Sequence, residues 1–499
     1  MGLVKPVEPV PLDRLGAVHF AAIGGAGMSG VARIMLARGM AVSGCDSAAS
    51  AQLQELAELG ARVSVGHSAD HLTGIDTLVV SSAIRADNPE LVAARKAGKL
   101  VLHRAAALAS VMLGRQSVVI AGTHGKTTTT SMITTVLRAC GADPSYAIGG
   151  VLAETGVGAY DGGGTAFVAE ADESDGSFLM FRPDAAVVTC VEADHLDNYE
   201  DLAQIEDAFL AFVGNISADG LLVIDADDPG TRKLAQVVEA GWPVRLVRYG
   251  ESAEADYRIT GIWPAGMSTE FELTGRPGLA GAGPVKLRIA VPGRHNARNA
   301  AAAYAIAVEL GFEPARVAAG LARYGGAKRR MEVKGEVGGV RVLDSYAHHP
   351  TELAADLSAA RDIAGGDGGS WGVPPATPPA HHPGQHCGRV IAIFQPHLFS
   401  RTRIFADQFA AALDQADEVF VLDIYAARED PEPGVTGALV ADAVPGGRAV
   451  FVRDNSALPE MIADVVKPGD VVLTMGAGDV TTFGPLIVAA LARRDGEPS

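Results

Sequence analysis

The chain has 499 residues, 48% of them hydrophobic, and a formal net charge of −18. That length allows about three domains, each able to bury its own core, and the acidity argues against nucleic acid as the main partner. Four cysteines, Cys45, Cys140, Cys190 and Cys387, are scattered without a C-x-x-C pair, which suggests neither a disulfide framework nor a zinc ribbon and fits small apolar side chains in a reducing compartment. The opening MGLVKPVEPVPLDRLG carries Glu8, Asp13, Arg14 and repeated prolines instead of a signal core. No charge-free apolar run is long enough to span a bilayer, so the expected location is the cytoplasm, without membrane insertion.

Apolar strand candidates alternate with amphipathic helix candidates almost throughout, the α/β signature. The first β/α unit starts at Ala17–Ile23, turns through glycines and continues as a helix over Gly30–Arg38. Gly25, Gly27 and Gly30 fit G-x-G-x-x-G, and Asp46 follows at the distance of a ribose-binding acid. The physics requires only a diphosphate over a helix N-terminus, so a dinucleotide and a sugar nucleotide both satisfy it, and a ligand-free tight turn is the plain alternative. Further units include Thr77–Ser81 and Leu100–Leu102, closing a first domain over 13–113.

A second series begins near Gly114-Arg115-Gln116. The run Ala121-Gly122-Thr123-His124-Gly125-Lys126-Thr127-Thr128 follows a strand over Ser117–Ala121 and opens a helix over Thr128–Cys140. That is the setting of a triphosphate-binding loop: backbone N–H groups close on phosphate oxygens, Lys126 reaches the terminal phosphates and the Thr127 hydroxyl takes Mg²⁺. Ile120 stands where the first motif glycine belongs. Strands over Ala166–Glu170 and Ala185–Val191 end in acids, Glu170-Ala171-Asp172-Glu173-Ser174-Asp175 and Glu192-Ala193-Asp194-His195. Acids at strand ends beside a phosphate loop are placed to hold a cation, and His195 shares that edge. A strand over Leu221–Asp225, a strand-rich stretch from Arg245 to Val291 and a helix over Ala297–Leu310 complete a central domain over 114–327. Asn296 and Asn299, at that helix's start, suit either the edges of adenine or helix capping.

The third series, 328–499, contains strands over Val340–Asp344, Val390–Phe394, Glu418–Leu422 and Val471–Met475. Asp344-Ser345-Tyr346-Ala347-His348-His349 and Gln395-Pro396-His397-Leu398-Phe399-Ser400-Arg401-Thr402-Arg403 end two of them, where α/β domains place ligand contacts. Arg401 or Arg403 can fork onto a carboxylate, with surface salt bridging the competing account for Arg403. The Gly/Pro-rich insert 365–388 reads as a flexible loop. Its His381, His382, His386 and Cys387 are metal-ligand candidates without a defined spacing.

In this order the segments IGGAGMSG (23–30), SSAIRADNPE (81–90), AGTHGKTTTT (121–130), EADESDGSF (170–178), EADHLDNY (192–199), PGRHNARNAAAA (292–303), DSYAHHPTE (344–352) and FQPHLFSRTR (394–403) resemble the Mur ligases of peptidoglycan synthesis. The resemblance implies a Rossmann-like N-terminal domain, a central P-loop ATPase domain and a C-terminal Rossmann-like domain for the amino acid. It implies that ATP phosphorylates a substrate carboxylate and that an amine then attacks the acyl phosphate. For the alanine-adding branch the substrates are UDP-N-acetylmuramate and L-alanine, the cofactors ATP and Mg²⁺, and the role lies in cell-wall building and hence cell shape and division. By resemblance, Gly122, Thr123, His124, Gly125, Lys126, Thr127, Thr128, Asn296, Asn299, Arg330 and Asp344 hold ATP, and Thr127, Glu170 and His195 face the metals. Gly25, Gly27, Gly30, Asp46, Ser82, Tyr346 and His397 serve the substrates, and Lys126, Glu170, His195, His348 and Arg401 carry the chemistry. A monomer or homodimer is expected.

Two departures stand out. Several siblings use a carbamylated lysine after the position of His195, and Leu196–Val213 contains no lysine. Leu398 stands where some relatives carry arginine, which leaves Arg401 alone to clamp the amino-acid carboxylate. The competing readings are a sibling that recycles a peptide onto the same nucleotide sugar, an NAD-dependent oxidoreductase resting on Gly25–Gly30 only, and a nucleotide-gated binding protein without turnover.

Overall fold

Continuous apolar runs such as Val118–Ala121, Ala185–Val188 and Leu221–Asp225 are buried along their whole length, as strands covered on both faces by helices must be. They belong to three sheets in a computed structural model that describes residues 3–196, 198–365, 388–427 and 429–496. The insert's His381, His382, His386 and Cys387 lie outside the described residues.

The first sheet is formed by β1 (Val18–Ala21), β2 (Val42–Asp46), β3 (Arg62–Val65), β4 (Thr77–Val80) and β5 (Leu100–His103), all parallel in the order β3-β2-β1-β4-β5. Helices α1 (Ala26–Ala37), α2 (Ala51–Glu58), α3 (Pro89–Lys96) and α4 (Arg104–Met112) accompany it. The order reverses between β1 and β4, so the crevice beyond their carboxyl ends is the place for a ligand.

The second sheet centres on β6 (Gln116–Ala121), which feeds α5 (Lys126–Ala139). Then come β7 (Ser145–Ala147), β8 (Ala159–Tyr160), β9 (Ala166–Glu170), β10 (Ala185–Val188), α6 (Leu202–Gly214), β11 (Leu221–Asp225), α7 (Pro229–Glu239) and β12 (Arg245–Gly250). Strands β13 (Tyr257–Ala265), β14 (Ser268–Gly275) and β15 (Gly283–Ile289) precede α8 (Arg294–Glu309) and α9 (Pro314–Leu321). The order is β15-β14-β13-β12-β11-β10-β6-β9-β7-β8, with β9 and β10 flanking β6 in parallel. Helix α5 is rich in β-branched threonine yet deeply buried. Thr130 and Thr134 donate to the carbonyls of Lys126 and Thr130, both at 2.8 Å, so those hydroxyls are satisfied by the helix itself.

The third sheet contains β16 (Glu332–Val337), β17 (Val340–Ser345), β18 (Val390–Phe394), β19 (Glu418–Leu422), β20 (Ala449–Val452) and β21 (Val471–Met475), in the order β16-β17-β21-β18-β19-β20. Only β16 is antiparallel to its neighbour among these pairs. Helices α10 (Pro350–Gly365), α11 (Phe399–Leu413), α12 (Ala438–Ala443), α13 (Leu458–Val465) and α14 (Phe483–Asp495) complete it.

By internal packing the chain forms two compact units, 1–259 with 273–284 and 298–323, and 260–272 with 285–297 and 324–499. The first unit holds the first sheet and the phosphate-loop strands around one continuous apolar core. Among the described residues no helix is long and apolar enough to cross a membrane.

Three helices begin earlier than the sequence predicts: at Ala26 instead of Gly30, at Lys126 instead of Thr128, and at Arg294 instead of Ala297. The strand expected over Ala185–Val191 ends at Val188. There Thr189 turns its hydroxyl toward the carbonyl of His124 in the phosphate loop.

Candidate active site

The loop between β6 and α5 is built on close backbone approach. Gly122 has φ 134°, and a Cβ there would collide with Thr189 across the loop, so only glycine fits. The Thr123 hydroxyl accepts from Glu192 N (2.9 Å), and the His124 amide donates to Cys190 Sγ (3.2 Å). Both contacts fasten the loop to the segment after β10. Gly125 then caps α5 and leaves its N-terminus, with its positive dipole end, at the mouth of the loop.

Lys126 is the first residue of α5. Its Nζ donates to the carbonyls of Gly122 (2.6 Å) and Thr123 (3.1 Å) and to Glu173 Oε1 (2.9 Å). Burial acts to lower the ammonium pKa, but the charge and hydrogen bond of Glu173 more than offset it, so the pKa is raised and the lysine stays charged. The Thr127 hydroxyl donates to Glu170 Oε1 (2.9 Å), whose Oε2 accepts from Gly149 N (2.6 Å). Thr128 is buried one residue further along the helix. Asn299 lies on α8, where its Oδ1 accepts from the Thr129 hydroxyl (3.3 Å).

His195 follows β10 with a left-handed backbone, φ 52°, a costly conformation for a residue other than glycine. It aims Nε2 at Glu173 Oε1 and Asp194 Oδ2, each at 3.5 Å. Glu173 thus stands between Lys126 and His195. The sequence places it inside an acidic run but singles out Glu170; the tertiary pairing is what distinguishes it. Tyr199 holds the Glu173 carbonyl (2.6 Å) and Asn198 that of Ser174 (3.1 Å), which fixes the acidic turn.

The same turn reaches into the first domain. Arg104, first residue of α4, contacts Asp172 at 3.2 Å. Burial acts to raise the Asp172 pKa, but the Arg104 charge and a hydrogen bond from the Ser174 side chain outweigh it and bring it to about 2. Arg104 also lies over the start of α1: a Cβ on Gly27 would sit 2.5 Å from its Nη1. Ser82, just beyond β4, donates to Asp175 and lies 3.1 Å from His103 Nε2. Burial lowers the His103 pKa more than Asp175 raises it. Gly25 caps α1, and Asp46 Oδ2 accepts from Gly24 N (3.0 Å), so Asp46 braces the glycine loop. Gly30 packs α1 closely against Ala159. The predicted residues Gly25, Gly27, Ser82, Lys126, Glu170 and His195 therefore lie in one unit, and Arg104, which no motif marks, joins Ser82 in reaching the acidic turn.

In the second unit, Asn296 lies within the first turn of α8 and does not cap it; its amide donates to the Pro292 carbonyl (2.7 Å). Asp344 is fully buried. Its carboxylate accepts from Thr474 (2.8 Å) and Thr481 (2.7 Å) and faces Arg329 (3.4 Å) and Lys334 (3.7 Å). Tyr346 packs under two guanidinium groups, Arg329 at 4.8 Å and Arg330 at 5.5 Å from the ring centre. Arg330 also pairs with Glu352 (3.7 Å). His348 Nδ1 binds the Tyr346 carbonyl (2.9 Å), and its ring lies 6.0 Å from that of His397, which stacks on Tyr425. Arg401 is buried in the first turn of α11, while Arg403 makes an exposed ion pair with Glu432 (3.0 Å). Leu398 caps α11 with φ 70°.

Three family models match the chain: the Mur ligase family catalytic domain over 17–116, the Mur ligase middle domain over 120–307, and the Mur ligase glutamate ligase domain over 329–371 and 380–478. A UDP-N-acetylmuramate–L-alanine ligase of Thermobifida fusca is 54% identical over 98% of this chain and 100% of its own. One of Kineococcus radiotolerans is 54% identical over 96% and 97%. The crystal structure of the UDP-N-acetylmuramate-alanine ligase of Thermotoga maritima superposes with a TM-score of 0.76 at 28% identity, covering 96% of this chain and 99% of that one.

Proposed function

We infer the function from one premise: the chain belongs to the Mur ligase family. It joins L-alanine to the carboxylate of UDP-N-acetylmuramate with conversion of ATP to ADP and phosphate, a step in peptidoglycan precursor synthesis. The observation that carries the mechanism is the acidic turn 172–173, where Asp172 meets Arg104 beside Gly27 and Glu173 meets Lys126 and His195 within one unit.

A carboxylate is a poor acyl donor until one oxygen becomes part of a phosphate leaving group. In the proposed course that oxygen attacks the γ-phosphorus and ADP departs. The alanine amine then attacks the acyl carbon, and phosphate leaves as the tetrahedral adduct collapses. Bringing a carboxylate to a triphosphate sets anion against anion, so the site must supply positive charge. Lys126, kept protonated by Glu173, and the α5 N-terminus supply it. Ligand oxygens entering the loop replace the Gly122 and Thr123 carbonyls around Nζ.

Thr127 and Glu170 place a hydroxyl and a carboxylate oxygen 2.9 Å apart, hard oxygen donors of the kind Mg²⁺ takes. Bound there, Mg²⁺ neutralises charge on the phosphate oxygens. His195, beside Glu173, is the proposed neighbour of a second ion. The first domain, 13–113, holds the UDP part over Gly25, Gly27 and Gly30. The central domain, 114–327, holds ATP, with Asn296 and Asn299 toward adenine. In the third, 328–499, Arg330 is assigned to ATP and His348, His397 and Arg401 to alanine. Asp344 acts there by fixing Arg329 over Tyr346, since its carboxylate is enclosed by Thr474 and Thr481.

The test is ADP release by the purified chain with Mg-ATP and UDP-N-acetylmuramate, with and without L-alanine. Release that requires both substrates is expected. Release only with a peptide in place of alanine would assign the recycling reaction instead, and no release with any acceptor would overturn the reading.

A further inference from the structure

A second cluster of ligating side chains lies in the first domain, and the ligase reaction leaves it without a role. Glu90, at the start of α3, is fully buried. Its Oε1 lies 2.7 Å from His71 Nδ1, 2.9 Å from Cys45 Sγ and 3.5 Å from His19 Nε2. His67 Nδ1 is 3.1 Å from both Glu90 Oε2 and Cys45 Sγ. One donor atom from each of His19, Cys45, His71 and Glu90 fits within a sphere of mutual separations no larger than 4.8 Å.

The charge balance of this cluster is incomplete. Glu90 is held well below the usual carboxylate range: burial opposes ionisation, but hydrogen bonds from His19, Cys45, His71 and His67 outweigh it. Its described ion-pair partners are His19, His67 and His71, with no lysine or arginine. A buried anion without a permanent cation is unfavourable.

His19 sharpens the point. It is 2% exposed, and its Nε2, 3.5 Å from Glu90 Oε1, makes no well-formed hydrogen bond. Its Nδ1 lies 2.8 Å from the Ser43 hydroxyl, which itself donates to the Val18 carbonyl (3.5 Å). In the tautomer where Ser43 accepts from Nδ1–H, the Nε2 lone pair faces the Glu90 carboxylate. Two acceptors 3.5 Å apart in a buried site call for a cation between them. A histidine fixed through its far nitrogen and presenting the other is the usual arrangement of a metal ligand.

We propose that His19, Cys45, His71 and Glu90 form a four-coordinate Zn²⁺ site in the first domain, with His67 at its rim. One sulfur, two imidazole nitrogens and one carboxylate oxygen are ligands Zn²⁺ accepts in a tetrahedral set. Bonds of about 2.0–2.3 Å separate tetrahedral donors by roughly 3.3–3.8 Å, so entry of the ion moves the Glu90 contacts outward and draws in any donor pair near the 4.8 Å limit. Burial and Glu90 push the Cys45 thiol up; on binding, its S–H bond breaks, sulfur takes the metal and the proton passes to water. His67 and His71 have side chains about a fifth exposed, 23% and 22%, which gives the ion a path in. Cys45 directly precedes Asp46, the brace of the glycine loop, so a bound ion stiffens the strand that carries it.

The experiment uses the full chain, treated with a chelator and titrated with Co²⁺ in the absence of nucleotide. One equivalent is expected to give a near-ultraviolet thiolate-to-cobalt band with intense visible bands of tetrahedral Co²⁺, and one equivalent of Zn²⁺ should bleach both. The bands should vanish in Cys45→Ser and persist in Cys387→Ser. His71→Asn, at a partly exposed position that tolerates change, should weaken Co²⁺ binding at least tenfold. Absence of a thiolate band in the unaltered chain would overturn the site and leave protons as the cations of the cluster. Bands that survive in Cys45→Ser but vanish in Cys387→Ser would overturn it in favour of the insert.

Discussion

The chain carries two glycine-rich loops, each following a central parallel strand and opening a helix, and they are equipped differently. The loop before α1 offers backbone N–H groups and a helix end, with Asp46 bracing it from outside. The loop before α5 adds Thr127 paired with Glu170, and Lys126 and His195 both on Glu173. A helix N-terminus alone suffices to hold a diphosphate. Moving a phosphoryl group needs charge that strengthens as the transition state forms. In the proposed function the first loop accordingly binds and the second reacts.

The sharpest way to break this contrast is Lys126→Ala. Turnover should fall about a thousandfold or more, while calorimetric binding of UDP-N-acetylmuramate stays near normal. Near-normal turnover would remove the reactive loop from the account. Glu173→Gln keeps the shape but removes the charge between Lys126 and His195. A fall in kcat of about 10–100-fold is expected, as for other residues that orient ligating groups, with little change in KM for the nucleotide sugar; unchanged kcat would reduce Glu173 to a structural acid.

Gly27→Ala sharpens the contrast from the other side. The new Cβ meets Arg104 at 2.5 Å, and a strain of about 1–3 kcal/mol should raise KM for UDP-N-acetylmuramate about tenfold with kcat changed much less. A kcat loss as large as the KM rise would show that Arg104 couples the two loops chemically as well as sterically.

Asp225 gives the smallest effect and serves as a control at the same sheet edge. It ends β11, is buried, and its carboxyl is pushed up to about 7 by desolvation. Because the folded pKa lies above the unfolded value of 3.8, stability is fully present below about pH 4 and is lost as pH rises toward and past 7. Asp225→Asn mimics the protonated acid. It should match the parent chain near pH 4 and exceed its stability by roughly 1–3 kcal/mol at pH 8, read as a higher Tm with activity retained. An equal Tm difference at both pH values would refute the assignment.

Much of this was legible in the residues. The strands Ala166–Glu170, Leu221–Asp225, Val390–Phe394, Glu418–Leu422 and Val471–Met475 stand where their apolar runs place them, because strands buried on both faces leave an uninterrupted pattern. Helix starts were less legible. In α1, α5 and α8 the first turn contains Gly27, Lys126, His295 and Asn296, which read as loop, since a ligand-binding helix end leaves its backbone N–H groups free for the ligand.

Other features have no local signature. Arg104 matters through Asp172, 68 positions away, and Asp344 is enclosed by Thr474 and Thr481 from a strand and turn more than a hundred positions downstream. The cluster around Glu90 draws on β1, β2, the segment between β3 and β4, and α3, so no ligand spacing could mark it. The sequence reading of four unremarkable cysteines missed Cys45 for that reason.

The most direct measurement follows oxygen. UDP-N-acetylmuramate labelled with ¹⁸O in its carboxylate is turned over with Mg-ATP and L-alanine, and the released phosphate is analysed by mass spectrometry. If the reactive loop transfers the γ-phosphoryl group to the carboxylate held over the first loop, each phosphate carries one labelled oxygen from that carboxylate. Unlabelled phosphate formed at the same rate as the amide product would contradict the account.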